Sequence, residues 1–124
     1  MSAKTDFQQL AVGYLAMWNA SGTADRSALV AQLCAPDVHY TDPLADVTGR
    51  DALESAIGAV QGQFPGFGFT LLGGVDGHHD QARFSWELGP AGGPAPVAGF
   101  DVVTTDEDGR ITRVLGFLDR VPSA

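Results

Sequence analysis

Residues 97–103 read Val-Ala-Gly-Phe-Asp-Val-Val, an apolar and β-branched run that is typical of a buried strand and contains one carboxylate, Asp101. A fully buried carboxylate is uncommon, because taking its charge out of water is costly unless the group is paired or keeps its proton. An aspartate in a turn needs no such explanation, whereas an aspartate in the middle of a strand does. Asp101 is therefore the first candidate for a functional group.

The chain on both sides of this run alternates strands with turns. Residues 67–75 and 82–88 have strand patterns before it, and residues 111–118 have one after it. Asp106-Glu107-Asp108-Gly109 contains an Asp-Gly pair, which favours a hairpin turn. With residues 97–105 as the third member, the pattern predicts four strands that pair antiparallel.

The first half of the chain is mostly helical in pattern. Apolar residues recur at helical spacing over about residues 5–19, a shorter helix begins near Thr23, and a third spans about residues 50–63. A short strand at residues 38–43 precedes the third helix. Helices collected first and strands afterwards indicate an α+β fold, with the helices packed on one face of a curved sheet. A strongly curved sheet of this kind encloses a cone-shaped cavity, where a ligand commonly binds.

Length and charge limit the classes of function. The 124 residues suit one domain with one core, and we expect a single domain over residues 1–124. The net charge of −8 repels phosphate backbones, so we expect no nucleic-acid partner. No apolar segment approaches the roughly 20 residues that span a bilayer, so we expect no membrane partner. Residues 1–6 lack the layout of a secretory signal, which favours a cytoplasmic location.

The sequence also predicts that the protein binds no metal and no cofactor. Cys34 is the single cysteine, which excludes an internal disulfide and any multi-cysteine metal site. His78-His79-Asp80 form a tight turn, and adjacent side chains on a turn rarely point to one ion. We therefore look for chemistry in carboxyl and hydroxyl groups.

We expect two further polar side chains at this cavity. Tyr14 lies on the apolar face of the first helix, where it is either a core tyrosine or a functional hydroxyl. Asp42 precedes Pro43 where the short strand opens into a loop, and it either shapes the turn or places a carboxylate at the cavity mouth. Asp101 has two readings as well: an acid that faces the cavity, or a buried carboxylate paired with Arg83 or a backbone group.

Five short motifs over about residues 5–120 carry a resemblance to known proteins. They are Tyr14-Leu15-Ala16-Met17-Trp18-Asn19, Tyr40-Thr41-Asp42-Pro43, Gly49-Arg50-Asp51-Ala52-Leu53, Gly99-Phe100-Asp101-Val102-Val103 and Asp108-Gly109-Arg110-Ile111. In this combination the chain resembles the nuclear transport factor 2-like superfamily and, within it, the polyketide-cyclase (SnoaL-like) and ketosteroid-isomerase families. The resemblance implies an NTF2-like cone, in which a curved antiparallel sheet wraps around the N-terminal helices as an α+β barrel. It also implies a homodimer.

The resemblance to the ketosteroid isomerases implies roles for three residues. Tyr14, Asp42 and Asp101 match that family's helix-one tyrosine, its aspartate before a proline and its strand aspartate. By this resemblance, Asp42 would remove a proton next to a ketone and return it along the conjugated system. Tyr14 and a protonated Asp101 would donate hydrogen bonds to the dienolate oxygen. Burial of Asp101 should raise its pKa, and a carboxyl group can donate only when it is neutral.

The expected function is that of a SnoaL-like small-molecule enzyme, with isomerase- or lyase-type acid–base chemistry on a hydrophobic, steroid- or polyketide-like ketone. We expect further pocket-lining residues, namely Trp18, Tyr40, Arg83, Trp86 and Phe117. One alternative is water addition to an epoxide, similar to the limonene-epoxide hydrolases, in which Arg83 would lie between two carboxylates. Another is a non-catalytic module that holds a hydrophobic ligand or dimerises. In each case the expected partner in the cavity is a small hydrophobic molecule.

Overall fold

The structure is a computed structural model that describes residues 5–122. Within this range, three helices and six strands follow one another along the chain. They are α1 (Phe7–Asn19), α2 (Thr23–Leu33), β1 (Cys34–Thr41), β2 (Asp46–Thr48), α3 (Arg50–Gln63), β3 (Phe67–His78), β4 (Gln81–Pro90), β5 (Val97–Thr105) and β6 (Ile111–Arg120). In the described part of the chain, no helix has the length and apolar character that crossing a membrane requires.

All six strands belong to one sheet, in the order β2-β1-β6-β5-β4-β3. Neighbouring strands are antiparallel except β1 and β6, which run parallel. The sheet is curved and remains open between β2 and β3, so the α+β cone predicted from the sequence is confirmed. The parallel pair arises because β1 precedes α3 in the chain and joins the sheet beside its last strand.

Side chains satisfy the backbone groups at both ends of α1. At its start, the Asp6 carboxylate accepts a hydrogen bond from the backbone N–H of Gln9 at 3.1 Å, which is a standard N-cap. At its end, the Gln61 side chain donates to the carbonyl oxygens of Trp18 and Ala20 at 2.8 and 2.7 Å. These oxygens would otherwise lack an intrahelical partner. Gln61 of α3 thereby fixes the last turn of α1, including Trp18.

Alternation along β4 and β5 decides which side chains reach the interior. On β4 the even-numbered residues from Ala82 to Leu88 are buried, whereas Arg83 and Ser85 are exposed. On β5 Asp101 lies on the buried face and is only 4% exposed. The sequence-based prediction that Asp101 is a buried strand residue is therefore confirmed.

The boundaries of β1 and β2 differ from the prediction. Strand β1 begins at Cys34 rather than at Val38, and it pairs with β6 through an irregular stretch between Cys34 and His39 that contains Pro36. Proline lacks an N–H and tolerates such an irregular position, so it does not end the strand. Strand β2 has three residues, which is too short for an alternating pattern to be recognised.

Candidate active site

A partly open cavity of about 580 Å³ is lined mainly by α1, α3 and strands β1, β3, β4, β5 and β6. This volume lies within the range of roughly 300–1,000 Å³ that is usual for small-molecule sites. Its walls are mainly apolar and aromatic, including Leu15, Val60, Phe64, Phe69 and Leu88. No lysine, arginine or histidine among residues 5–122 lines it. The cavity therefore suits an uncharged and largely hydrophobic molecule.

The predicted site residues lie around this cavity, with one exception. Those that line it are Tyr14, Trp18, Tyr40, Asp42, Trp86, Asp101 and Phe117. They come from α1, β1 and the loop after it, β4, β5 and β6. The helices and strands that are far apart in the chain thus bring these side chains to one place.

Arg83 is the exception, and its predicted place in the pocket is corrected. It lies on the outer face of β4, its side chain is 69% exposed, and its Nε donates to the Asp76 carboxylate at 3.3 Å. The physical reason is strand alternation: Arg83 pairs with Val102, whereas Phe84 pairs with Asp101. Arg83 therefore neither neutralises Asp101 nor lies between two carboxylates, which the epoxide-hydrolase alternative required.

The pKa of Asp101 is raised from its ordinary value near 3.8 to about 7. Loss of water on burial is the main cause, and the nearby charge of Asp42 adds to it. The indole N–H of Trp86 and the hydroxyl of Tyr14 act in the opposite direction, because they stabilise the carboxylate. Below about pH 7 Asp101 is mostly neutral, and it can then donate a hydrogen bond.

Asp42 lies in a different environment from Asp101. Its Oδ1 accepts the backbone N–H groups of Leu44 and Ala45, both at 2.8 Å, and its Oδ2 accepts the Tyr40 hydroxyl at 2.5 Å. These three donors complement a carboxylate, which is purely an acceptor when ionised. Burial and the nearby carboxyl groups raise the pKa of Tyr40, so its hydroxyl keeps its proton. Asp42 therefore shapes the turn and faces the cavity at the same time.

Gly116 of β6 separates the two carboxyl groups. A Cβ atom at this position would lie 2.9 Å from Asp101 Oδ1 and 3.2 Å from Asp42 Cβ. The geometry follows from the sheet order, because β6 lies between β1 and β5, and Asp101 pairs with Gly116. No sequence-based prediction concerned Gly116, although a glycine inside a strand often marks a close approach of this kind.

Three hydrogen-bond donors near Asp101 are buried. Tyr14 Oη, Trp18 Nε1 and Trp86 Nε1 have no partner of good hydrogen-bond geometry in the described part of the chain. Trp86 lies across from Gly99, where a Cβ would come within 2.9 Å of its indole ring, so the glycine provides the space for that ring. Burial is the main reason that the pKa of Tyr14 is raised well above its ordinary value. The sequence predicted Trp18 and Trp86 as pocket-lining residues and Tyr14 as a catalytic donor, but it did not indicate that their polar atoms lie near one acid.

Comparisons with known proteins agree with this geometry. The family profile of the SnoaL-like domain matches residues 11–114. A SnoaL-like family protein of Agrobacterium tumefaciens str. C58, provisionally named an isomerase, is 40% identical with a TM-score of 0.86, covering 90% of this chain and 95% of that one. No curated protein sequence is significantly similar.

Two more distant structures share the fold. A protein of Sinorhizobium meliloti, provisionally named a polyketide cyclase, has a TM-score of 0.68 at 18% identity, covering 87% of this chain and 93% of that one. A SnoaL-like protein of Burkholderia thailandensis E264 has a TM-score of 0.72 at 14% identity, covering 94% of this chain and 98% of that one. At these identities the likeness concerns the fold alone.

Proposed function

The chain belongs to the SnoaL-like domain family, and on that premise we propose that it is an enzyme of isomerase or lyase type that moves a proton on a hydrophobic, steroid- or polyketide-like ketone. One observation carries the proposal: two carboxyl groups in unlike environments face one apolar cavity on either side of Gly116. Titratable groups whose environments differ in this way are the usual arrangement of an acid and a base. The isomerase name of the Agrobacterium relative supports the same chemistry.

In the proposed reaction Asp42 is the base and Asp101 is the hydrogen-bond donor. The Asp42 carboxylate takes a proton from the carbon next to the carbonyl, and the electrons of that C–H bond move onto the carbonyl oxygen. The neutral Asp101 carboxyl group donates a hydrogen bond to the oxygen as its negative charge develops. Asp42 then returns the proton to another carbon of the conjugated system, so that no atom is gained or lost. Removing one such donor typically slows a reaction by on the order of 10²–10³.

A screen of unsaturated ketones tests the proposal. Steroid-like and polyketide-like β,γ-unsaturated ketones are offered to the protein, and the conjugated product is followed by its ultraviolet absorbance. We expect turnover that Asp42→Asn abolishes and Asp101→Asn lowers by about 10²–10³. Asp76→Asn is the matched control, since Asp76 is an exposed aspartate outside the cavity, and it should leave the rate unchanged.

The pH dependence provides a second criterion. Activity should fall as the pH rises through about 7, because Asp101 then loses the proton with which it donates. Turnover that is unaffected by Asp42→Asn would contradict the assignment of the base. Ketones that bind in the cavity without any turnover would favour the non-catalytic binding module instead.

A further inference from the structure

The side chains of the three donors near Asp101 line the cavity, but their polar atoms are shut off from it, whereas Asp101 itself borders it. Tyr14 Oη, Trp18 Nε1 and Trp86 Nε1 are all sealed from solvent. Asp101 keeps 4% of its surface exposed and lines the cavity. A ligand in the cavity would therefore meet the carboxyl group of Asp101 before it met any of the three donors.

The chemistry of these three side chains determines which group donates and which accepts each hydrogen bond. An indole N–H can only donate, whereas a tyrosine hydroxyl both donates and accepts. Trp18 lies one helical turn after Tyr14, with the ring centroids 6.3 Å apart, and its N–H lowers the pKa of Tyr14. If that oxygen accepts from Trp18, the proton of Tyr14 is free to point to its other polar neighbour, Asp101. In this direction the Tyr14 hydroxyl stabilises the Asp101 carboxylate, which lowers the pKa of Asp101.

Trp86 approaches Asp101 from the neighbouring strand. Its indole lies over Gly99, which is two residues before Asp101 on the same face of β5. The N–H is buried and its polar neighbour is the Asp101 carboxyl group. Two buried donors without another partner of good geometry in the described part of the chain, one from α1 and one from β4, thus lie beside Asp101.

We infer that Tyr14 and Trp86 are positioning residues that hold the Asp101 carboxyl group from behind, that Trp18 orients the Tyr14 hydroxyl, and that Asp101 presents its own proton to one uncharged acceptor oxygen of the ligand. With the two donors on the carboxyl group, its O–H is left to point into the cavity. A neutral carbonyl oxygen is the acceptor that fits, because the part of the cavity wall formed by residues 5–122 has no basic side chain to hold a carboxylate ligand. The inference rests on the proposed function but departs from the resemblance, in which the tyrosine donates directly to the ligand.

The inference can be tested by titration because the titratable groups that face Asp101 are known. Tyr14 faces it from α1, while Tyr40 and Asp42 face it from β1 and the loop that follows. The residues of β4 and β6 that face it, Phe84, Trp86 and Gly116, are not titratable. Both tyrosines hold their protons in the neutral range, since their pKa values are raised. Asp42 is therefore the one other facing group that needs a control variant.

The indole N–H resonances provide the direct experiment. The chain has two tryptophans, so a ¹H–¹⁵N spectrum of the full chain contains two indole signals, which Trp18→Phe and Trp86→Phe assign. We expect the Trp86 signal to titrate with a midpoint near pH 7. Asp101→Asn should abolish this titration, while Asp42→Asn and the exposed Asp76→Asn should retain it. A Trp86 signal that does not respond while Asp101 titrates overturns the inference.

The second readout is the titration midpoint of Asp101 in variants that lack one donor. It is followed by ¹³C NMR of the Asp101 carboxyl carbon. Trp86→Phe and Tyr14→Phe should each raise the midpoint by about one pH unit, because each removes a donor to the carboxylate. The exposed Asp76→Asn variant lies outside the cavity and removes no donor, so it should leave the midpoint unchanged. If Trp86→Phe fails to fold, benzothienylalanine at position 86 keeps the ring shape and removes only the N–H. An unchanged midpoint in all donor variants contradicts the inference.

The two proposals fail in different ways. None of these spectra requires turnover, so an inert Trp86 leaves the acid–base roles of Asp101 and Asp42 in place. An Asp101 midpoint near its ordinary value would overturn the proposed function and this inference together. With a ketone that is turned over, Tyr14→Phe should move the pH profile upward and retain most of kcat at low pH. A loss of kcat by about 10²–10³ at every pH would instead mean that Tyr14 donates to the ligand directly.

Discussion

Opposing effects on the pKa of Asp101 decide whether this residue keeps its proton. Burial in β5 and the charge of Asp42 favour the neutral acid, while the donors Trp86 and Tyr14 favour the carboxylate. In the unfolded chain all of these effects are lost and Asp101 has an ordinary carboxyl pKa. The difference between the two states couples the protonation of a single side chain to the stability of the whole fold.

We expect Asp101→Asn to change how stability depends on pH. Because the folded-state pKa lies above the unfolded value, the neutral acid stabilises the fold fully below about pH 4, and this stabilisation is lost as the pH rises through about 7. Asparagine does not titrate, so the variant should become more stable relative to the wild type between these values, by roughly 1.4 kcal/mol per pH unit at most. Urea unfolding at a series of pH values measures the difference. A constant difference between pH 4 and 8 would contradict the raised pKa.

Gly116→Ala should disturb both carboxyl groups at once. The added methyl group would lie 2.9 Å from Asp101 Oδ1, which is closer than real Cβ contacts. We expect a loss of about 1–3 kcal/mol in the free energy of unfolding, together with a change in the Asp101 pKa. Gly74→Ala is a control on strand β3, since its Cβ would have no atom within 4 Å. Equal effects of the two substitutions would mean that strand propensity, and not the close approach, is responsible.

Some of these residues could be predicted from the sequence because their signals are local. Asp101 was recognised from its apolar neighbours in the strand, and Asp42 from the proline that follows it. The role of Gly116 depends on β6 lying between β1 and β5, and sequence periodicity does not reveal the order of strands in a sheet. Alternation along β4 places Arg83 and Trp86 on opposite faces of the strand, which is why the prediction that both line the pocket is wrong for Arg83.

The end of α1 is joined to the edge strand β3 by a single side chain. Asn19 donates from Nδ2 to the carbonyl oxygen of Phe69 at 3.0 Å and accepts the Phe69 N–H at its Oδ1 at 2.8 Å. The amide thus pairs with both backbone groups of Phe69, as a residue of a neighbouring strand would. Phe69 in turn packs against Trp18 and Trp86, so this link supports the wall of the cavity.

Asn19→Ala should therefore destabilise the protein by about 1–2 kcal/mol, because two hydrogen bonds to the edge strand are lost. Thermal and urea unfolding measure the change. Gln8→Ala is the comparison, since Gln8 is an exposed amide on the same helix. A loss no greater than that of Gln8→Ala would show that water replaces the Asn19 contacts without cost.

The elements themselves were mostly predictable, and the exceptions have physical causes. Strand β5 and helix α3 have the predicted bounds, because their patterns are long and regular. Strand β3 extends to His78, beyond the predicted end at Val75, through Gly77 and an irregular pairing with β4. The predicted turn there reflected local residue preferences, whereas the strand is maintained by pairing with β4.

The outer face of the sheet is where we expect a second copy of the chain. Phe100 and Phe117 stack on neighbouring strands with ring centroids 4.9 Å apart, and Phe117, which also borders the cavity, is 49% exposed. An apolar pair on a sheet face is more favourable when it is covered. The homodimer implied by the resemblance is thus a prediction with a defined surface.

Phe100→Asp should convert the predicted dimer to a monomer, because it places a charge on this surface. Light scattering after size-exclusion chromatography, at several protein concentrations, measures the mass. Val12→Asp changes an exposed apolar residue on α1 and should leave the mass unaltered. A wild-type protein that is monomeric at all concentrations would contradict the prediction.

The two tryptophans of the chain, Trp18 and Trp86, both line the cavity. The ultraviolet-excited emission of the whole protein therefore originates at the site, with no background from tryptophans elsewhere. Aromatic rings lie close to both, since Phe69 is 5.5 Å from Trp18 and 5.2 Å from Trp86 between ring centroids. An arriving molecule that displaces water or shifts these rings would alter the emission intensity or wavelength. The protein is in this sense its own fluorescent indicator, and unlabelled compounds can be ranked by quenching before any reaction is known.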